Sequence, residues 1–216
     1  ANMWSHSSLL RTLMTLPAAE ALARLQDGNA RFVADAPNLT VAEAHQRRGE
    51  LVGGQSPFAI ILGCSDSRVP AEVIFDQGLG ALFVIRVAGN IAASSQVGSV
   101  EFAATEFGTR LVVVMGHTGC GAVLATLEQI RGAGAAPSAN LQSIVDRIRP
   151  AVERLASAAP GWTPESLIGD AVRTNVDTSM NELTAHSDLL HRLVDEGGLH
   201  VVGAEYCLET GVVDFF

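Results

Sequence analysis

Two short stretches of this sequence concentrate the residue types that bind metal ions. The first holds Cys64 and Asp66, and the second holds His117 and Cys120. Thiolate sulfur, imidazole nitrogen and carboxylate oxygen are all ligands that zinc accepts in proteins. The sequence lacks the paired Cys-x-x-Cys spacing of many structural zinc fingers. These four residues therefore predict a zinc site of another kind.

A simpler interpretation is that two buried cysteines and one histidine merely pack beneath loops, since cysteine is among the most often buried residue types. The glycines around the second stretch argue against it. Gly116, Gly119 and Gly121 bracket His117 and Cys120. Glycine has no side chain, so it suits positions where the backbone must bend tightly around a bound group. The pattern favours the metal site.

Each stretch follows a short apolar run, at residues 58–63 and 111–116. Runs of this length that are rich in Val and Ile and end in Gly are typical of buried parallel strands. In open α/β sheets, ligands bind in the crevice beyond the carboxyl ends of the strands. Two such strands side by side would bring the four candidate ligands together.

The rest of the chain alternates between further strands and helices. Strands are predicted at Leu82–Arg86, Leu199–Tyr206 and Val212–Phe216, the last as an edge hairpin. Helical stretches are predicted at 70–75, 121–131, 141–155 and 165–195, and a loop and a helix at 90–109. A polar linker with at most one short helix is predicted at 35–55. Such alternation predicts an α/β fold with a mainly parallel central sheet flanked by helices and a short C-terminal edge hairpin.

An N-terminal helical arm is predicted at residues 1–35. Between residues 8 and 34 apolar side chains recur at helical spacing, and Pro17 marks a break or a second helix start. The arm could cover its own sheet or reach across to a second subunit, and the sequence leaves both open. We expect residues 1–216 to form a single domain.

Composition excludes several classes of function. The chain has 216 residues, a formal net charge of −9 and 48% apolar residues. The negative charge disfavours nucleic acid as a partner. No apolar run approaches the length of roughly 18 residues that a membrane span needs, so no span is expected in this fragment.

Three cysteines, an odd number, argue against a disulfide framework and for a reducing compartment, which predicts a cytoplasmic protein. The third, Cys207, is interpreted as a core residue.

The residues beside Cys64 suggest how such a zinc ion would be used. Two thiolates and one imidazole would neutralise the zinc charge and make it a mild Lewis acid, so activation of water would need help. Asp66 could accept the proton of a zinc-bound hydroxide, and Arg68 could hold Asp66 ionised and turned away from the metal. The alternative is an ordinary surface ion pair, which is the commoner case.

Three motifs resemble those of the β-class carbonic anhydrases, in the same order along the chain. They are Cys64-Ser65-Asp66-Ser67-Arg68-Val69, Val84-Ile85-Arg86-Val87-Ala88-Gly89-Asn90 and Gly116-His117-Thr118-Gly119-Cys120-Gly121. The resemblance runs from about residue 25 to residue 216. It implies reversible hydration of carbon dioxide to bicarbonate and a proton by zinc-bound hydroxide, with one Zn²⁺ per chain.

The resemblance also implies roles for individual residues. Cys64, His117 and Cys120 would be the zinc ligands, and Asp66 and Arg68 the catalytic dyad. In some members the counterpart of Asp66 becomes a fourth, inhibitory ligand in a closed state. Gln55 matches the amide that orients the substrate, and the small apolar pocket would be formed by Phe83, Ala88, Phe102 and Gly121.

The same resemblance implies homodimers whose interface builds the pocket, assembled into tetramers in many members. One departure is informative. The branch of the family that bicarbonate regulates carries a tryptophan where this chain has Ile61, although Arg86 and Tyr206 match that regulatory site. We therefore expect the open form, with Asp66 paired to Arg68 near neutral pH.

Two other functions fit the same residues. One is a carbon disulfide or carbonyl sulfide hydrolase on the same scaffold, which the motifs do not separate from a carbonic anhydrase. The other is a non-catalytic, zinc-stabilised regulatory domain of a longer transporter. The presence of both Asp66 and Arg68 argues against the second, because a purely structural zinc site prefers four fixed protein ligands.

Overall fold

A computed structural model describes residues 16–38 and 41–216, without the side chains of residues 41–45. Its described part contains a five-stranded sheet with the order β2-β1-β3-β4-β5. The strands are β1 (Ala59–Gly63), β2 (Leu82–Arg86), β3 (Leu111–His117), β4 (His200–Tyr206) and β5 (Val213–Phe215). The first four are parallel, and β5 pairs antiparallel with β4 at the edge. The predicted mainly parallel sheet with a C-terminal edge hairpin is confirmed.

Helices cover both faces of this sheet. In chain order they are α1 (Ala18–Val33), α2 (Val41–Glu50), α3 (Ala71–Ile74), α4 (Ser94–Glu106), α5 (Gly121–Ile130), α6 (Ala139–Ala158), α7 (Pro164–Ala185) and α8 (Asp188–Asp195). On one face, α1, α3, α5 and α6 pack against the sheet, while α4 and α8 pack on the other. Helix α7 contributes to both apolar clusters.

The central strands are buried on both faces, which explains their apolar sequences. Every residue of β1 and β3 is buried. Val113 and Met115 point to the face covered by α5 and α6, whereas Val112 and Val114 point to the face covered by α4. Alternate side chains of a strand point to opposite faces, so strands covered on both sides need a continuous apolar run. These strands form a rigid base for the residues that follow them.

The prediction of one long helical stretch at residues 165–195 is wrong in one respect, because the helix is interrupted between α7 and α8. Ser187 is the N-cap of α8, and its hydroxyl accepts a hydrogen bond from the backbone N–H of Leu190 at 3.0 Å. The hydroxyl also donates to Glu101 at 2.5 Å. A capping serine competes with helix continuation because it satisfies the free N–H groups of a new helix. Apolar periodicity alone overlooked this signal.

The N-terminal arm is described only in part. Helix α1 begins after Pro17, as the break in the pattern predicted, whereas Leu9 and Leu13 lie outside the described residues. Ala18, Ala21 and Leu25 pack into the core of their own chain. The sequence left open whether the arm covers its own sheet or reaches across to a second subunit. The described part of the arm covers its own domain. Helix α2 is the one short helix expected in the linker.

Gly28 allows α1 to approach α3 closely, and its replacement by alanine is expected to destabilise the fold. A Cβ atom at Gly28 would lie 1.8 Å from the backbone oxygen of Phe75. Backbone cannot move aside as a flexible side chain can, so α1 must shift. We expect a loss of about 1–3 kcal/mol in the free energy of unfolding, measured by urea denaturation.

Gly169 provides the matched control for this prediction. It also lies inside a helix, α7, but a Cβ atom there meets nothing within 4 Å. Gly169→Ala should stabilise the protein by up to about 1 kcal/mol, through helix propensity alone. Equal gains from both substitutions would show that α1 is not held against α3 as described.

None of the helices in the described ranges combines the length and the apolar character that crossing a membrane requires.

Candidate metal centre

The loops after β1 and β3 bring three candidate ligands together at the carboxyl end of the sheet. One ligand atom from each of Cys64, His117 and Cys120 lies within 4.8 Å of the other two. Cys64 directly follows β1, His117 is the last residue of β3, and Cys120 is the N-cap of α5. The three residues are at most 5% exposed. Three protein ligands of this kind are typical of catalytic zinc sites, which keep a fourth position for water or substrate.

His117 is oriented for metal binding. Its Nδ1 lies 3.1 Å from the backbone oxygen of Thr118, which fits a neutral ring that donates its Nδ1–H there. The lone pair is then on Nε2, which is buried and has no hydrogen-bond partner in the part of the chain that the structure describes. A buried polar nitrogen without a partner is rare in folded proteins. A metal ion between this nitrogen and the two sulfurs would satisfy it.

The two sulfurs influence each other strongly. The neighbouring thiol of Cys120 is the main reason that the pKa of Cys64 is lowered, and backbone N–H groups of Asp66 and Gly89, each 3.4 Å from the sulfur, add to the effect. The pKa of Cys120 is raised, first by its hydrogen bond with Cys64 and then by burial. Two adjacent thiolates repel unless a cation lies between them. The donor set therefore fits a divalent metal ion that binds both sulfurs as thiolates.

The turn between β3 and α5 positions Cys120. Gly119 has a φ of 65°, a left-handed conformation that glycine adopts without steric cost. This turn places Cys120 at the N-terminus of α5, where the backbone N–H groups of Ala122 and Val123 face its sulfur. Both the N–H groups and the helix dipole favour a thiolate over a thiol.

Asp66 and Arg68 form a bidentate ion pair next to the three ligands. Arg68 donates from Nε to Oδ1 at 2.9 Å and from Nη2 to Oδ2 at 2.8 Å. The Arg68 guanidinium holds the pKa of Asp66 well below its usual range. Asp66 Oδ2 lies 3.9 Å from His117 Nε2. An ionised carboxylate therefore lies beside the candidate metal ligands while an arginine fixes its orientation.

Comparison with known proteins shows the family of this chain. Residues 59–213 match the family model described as carbonic anhydrase. Carbonic anhydrase 2 of Mycobacterium tuberculosis is 40% identical over 197 residues, which cover 91% of both chains. A carbonic anhydrase of Mycolicibacterium smegmatis is 38% identical over 190 residues, or 88% of this chain and 89% of the other. The chain belongs to the β-class carbonic anhydrases. It is therefore an enzyme of the lyase class.

Solved structures show the same fold. The β-carbonic anhydrase CafA of Aspergillus fumigatus aligns with a TM-score of 0.71 at 25% identity, covering 92% of this chain and 89% of the other. A β-carbonic anhydrase from Sordaria macrospora, described as tetrameric, also aligns with a TM-score of 0.71, at 23% identity and 81% and 89% coverage. The sheet and helices described above are thus those of known β-carbonic anhydrases.

The other residues predicted for this carbonic anhydrase site fall into two groups. Ala88 is next to Gly89, whose N–H faces Cys64, and Gly121 follows Cys120, so both lie beside the ligands. Phe83 instead pairs with Ile60, four residues before Cys64, or about 13 Å back along the strand. Its ring packs 6.2 Å from that of Phe102.

Gln55 belongs to this distant group. It is exposed in the segment that leads into the amino end of β1. Within one chain, the structure therefore separates Gln55, Phe83 and Phe102 from the candidate metal ligands.

The sequence did not reveal one buried residue that supports the site. Asn175, on α7, donates from Nδ2 to the backbone oxygen of Gly89 at 2.8 Å. It is 1% exposed and holds the peptide next to the N–H that faces Cys64. A polar residue within an apolar helical stripe is the signal that could have pointed to Asn175. Its partner, 86 residues away in the chain, could not be read from spacing.

Proposed function

We propose that this carbonic anhydrase catalyses the reversible hydration of carbon dioxide to bicarbonate and a proton. The observation that carries this proposal is the buried Nε2 of His117, which has no hydrogen-bond partner among the described residues. It lies close to two sulfurs and beside a carboxylate held by an arginine. Relatives at 38% and 40% identity that are named carbonic anhydrases support the same reaction.

Cys64, His117 and Cys120 would hold one zinc ion per chain. When bound there, zinc supplies Lewis acidity and lowers the pKa of a coordinated water molecule. The two anionic sulfurs offset most of the metal's charge. The protein must therefore contribute a further group that favours loss of the proton.

Asp66 supplies this group. Its carboxylate accepts a hydrogen bond from the reacting water or hydroxide, which favours deprotonation and directs an oxygen lone pair toward the carbon of the substrate. Arg68 occupies both carboxylate oxygens, so Asp66 stays ionised and turned in one direction. The same grip keeps Asp66 from becoming a fourth metal ligand in a closed state.

The substrate pocket requires a second protomer. Carbon dioxide carries no charge, so an apolar wall with one amide donor suits it. Ala88 and Gly121 lie at the metal ligands of their own chain, whereas Gln55, Phe83 and Phe102 lie at the other end of β1 and β2. A homodimer in which the partner brings these three residues to the site would complete the pocket, alone or within a tetramer.

We also propose that residues 1–216 form one domain, with the arm at residues 1–35.

A comparison of three linear gases tests the reaction. We expect carbon dioxide to react faster than carbonyl sulfide and carbon disulfide in stopped-flow measurements on zinc-loaded protein. Faster hydrolysis of either sulfur compound would favour the hydrolase, and no turnover of any of the three compounds would favour a regulatory domain.

The three free cysteines support the further proposal of a cytoplasmic location.

Replacing Arg68 with alanine is expected to free Asp66 to move onto the metal. Asp66 Oδ2 is already 3.9 Å from His117 Nε2, so a small rotation brings it into reach. We expect the hydration rate to fall by about 10–100-fold. The absorption spectrum of the Co²⁺-substituted variant should change, because a carboxylate replaces a solvent ligand. Arg154, an exposed arginine on α6, is the control, and Arg154→Ala should change neither the rate nor the spectrum. An unchanged rate in Arg68→Ala would show that the ion pair between Arg68 and Asp66 is not needed for catalysis.

A further inference from the structure

Arg86 holds the backbone of the loop that carries both Cys64 and Asp66. Its Nε donates to the backbone oxygen of Cys64 at 2.9 Å, and its Nη2 donates to the backbone oxygen of Asp66. Arg86 is the last residue of β2, the neighbour of β1, and its side chain reaches across to the loop that follows β1. Within the described ranges it forms no ion pair with any carboxylate. Its guanidinium is used on peptide groups instead.

The loop after β1 leaves the sheet at the point where it carries Cys64 and Asp66. The ladder between β1 and β2 continues briefly, since Val87 N–H donates to Gly63 at 3.1 Å and Ser65 N–H donates to Val87 at 3.3 Å. Beyond this point the sheet supplies no donor for the carbonyl group of Cys64, and Arg86 takes this role. Arg86 also donates to the carbonyl of Asp66, which accepts a further hydrogen bond from the Val69 N–H at 3.1 Å. The N–H of Asp66 then faces the Cys64 sulfur at 3.4 Å. One guanidinium thus holds the Cys64–Ser65 and Asp66–Ser67 peptide groups, which flank the peptide group that carries the N–H of Asp66.

We propose that Arg86 is a positioning residue for catalysis, which rests on the hydration reaction proposed above. Arg68 holds the side chain of Asp66, while Arg86 holds the backbone from which that side chain extends. The two arginines together fix the distance and direction of the carboxylate relative to the metal ligands. Within the described ranges Arg86 forms hydrogen bonds with the backbone of this loop and none with the candidate ligand atoms or the carboxylate, so it acts through the loop.

The shape of the guanidinium, and not its charge alone, is needed for this role. A planar guanidinium donates from Nε and Nη2 at the same time in a fixed geometry, whereas a lysine ammonium is a single point on a flexible chain. With lysine at position 86, the charge remains but the two peptide groups are no longer held together. The N–H of Asp66 can then turn from the Cys64 sulfur, and the carboxylate shifts with it.

The test compares Arg86→Lys and Arg86→Ala with a matched substitution elsewhere. Arg110 also donates to two backbone carbonyls, those of Ala104 at 2.9 Å and Thr109 at 3.2 Å, but it precedes β3 at the far end of the sheet. For Arg86→Lys we expect kcat/KM per bound zinc to fall about 10–100-fold, as is typical when support of a metal site is lost. The Co²⁺ absorption spectrum should change, because the Cys64 sulfur and Asp66 are less well ordered. Arg110→Lys should leave both readouts as in the wild type.

Rescue distinguishes positioning from general damage to the fold. Guanidinium ion at millimolar concentration should restore part of the rate in Arg86→Ala and should not affect Arg110→Lys. A wild-type rate and Co²⁺ spectrum in Arg86→Lys would overturn the proposal, as would an equal loss in Arg110→Lys. Failure of both Arg86 variants to fold would also overturn it, since Arg86 would then serve only the fold. If the wild type itself does not hydrate carbon dioxide, the proposed function fails, while the Co²⁺ spectra still report whether Arg86 orders the ligands.

Discussion

Cys64→Ser is expected to lose its zinc and, with it, all measurable hydration of carbon dioxide. The Cys64 sulfur lies within 4.8 Å of the other two ligand atoms and already has a lowered pKa, so it binds metal as a thiolate. A serine hydroxyl stays protonated near neutral pH and is a poorer zinc ligand than a thiolate. Zinc content, measured by atomic emission, should fall from one per chain to nearly zero. The rate should fall by at least about 1,000-fold, since the nucleophile depends on the metal.

Cys207→Ser is the matched control for this substitution. Cys207 is the third free cysteine, follows β4 and is not part of the three-residue cluster. Its replacement should leave both the zinc content and the hydration rate unchanged. Full zinc content in Cys64→Ser, or loss of zinc in Cys207→Ser, would mean that the metal is held elsewhere.

Asp66→Asn is expected to keep its zinc and still lose most of its activity. The amide has the size of the carboxylate but no charge, so it is a weaker hydrogen-bond acceptor for the reacting water and loses its ion pair with Arg68. Loss of one preorganised hydrogen bond to the reacting group typically costs about 100-fold or more, and we expect kcat/KM to fall by about that factor. Stopped-flow hydration on protein of known zinc content measures it.

An exposed aspartate controls for the loss of one negative charge. Asp195 pairs with His191 at 2.8 Å on the surface of α8, far along the chain from the ligands. Asp195→Asn should retain the wild-type rate. If Asp66→Asn also hydrates carbon dioxide at the wild-type rate, Asp66 and Arg68 have no part in the mechanism.

The parts of the fold and site that depend on local pattern were predictable from the sequence. Strands β1 and β3 are continuous apolar runs because both of their faces are buried. Their glycine-rich ends carry Cys64, His117 and Cys120, and parallel neighbours place such ends at one edge of the sheet. The convergence of these ligands thus followed from two local patterns and one general rule of α/β sheets.

Features that depend on distant partners were not predictable in this way. The motif matched Arg86 to a residue of the regulatory site of another branch, but spacing gave no sign that its guanidinium holds the carbonyls of Cys64 and Asp66. Asn175 reaches Gly89 across 86 residues. Spacing also did not show that Phe83 lies four residues back along the strand from the ligand end, which makes a second protomer necessary for the proposed pocket. Such relations arise only when the sheet and helices are packed.

The most direct test of a zinc-dependent hydration site is the rate of carbon dioxide hydration measured against the zinc content of the same sample. We predict one zinc per chain in active protein, a rate that falls to the uncatalysed level in proportion to the zinc that a chelator removes, and recovery when zinc is restored. A rate that is unchanged after the zinc has been removed would contradict a site built from Cys64, His117 and Cys120.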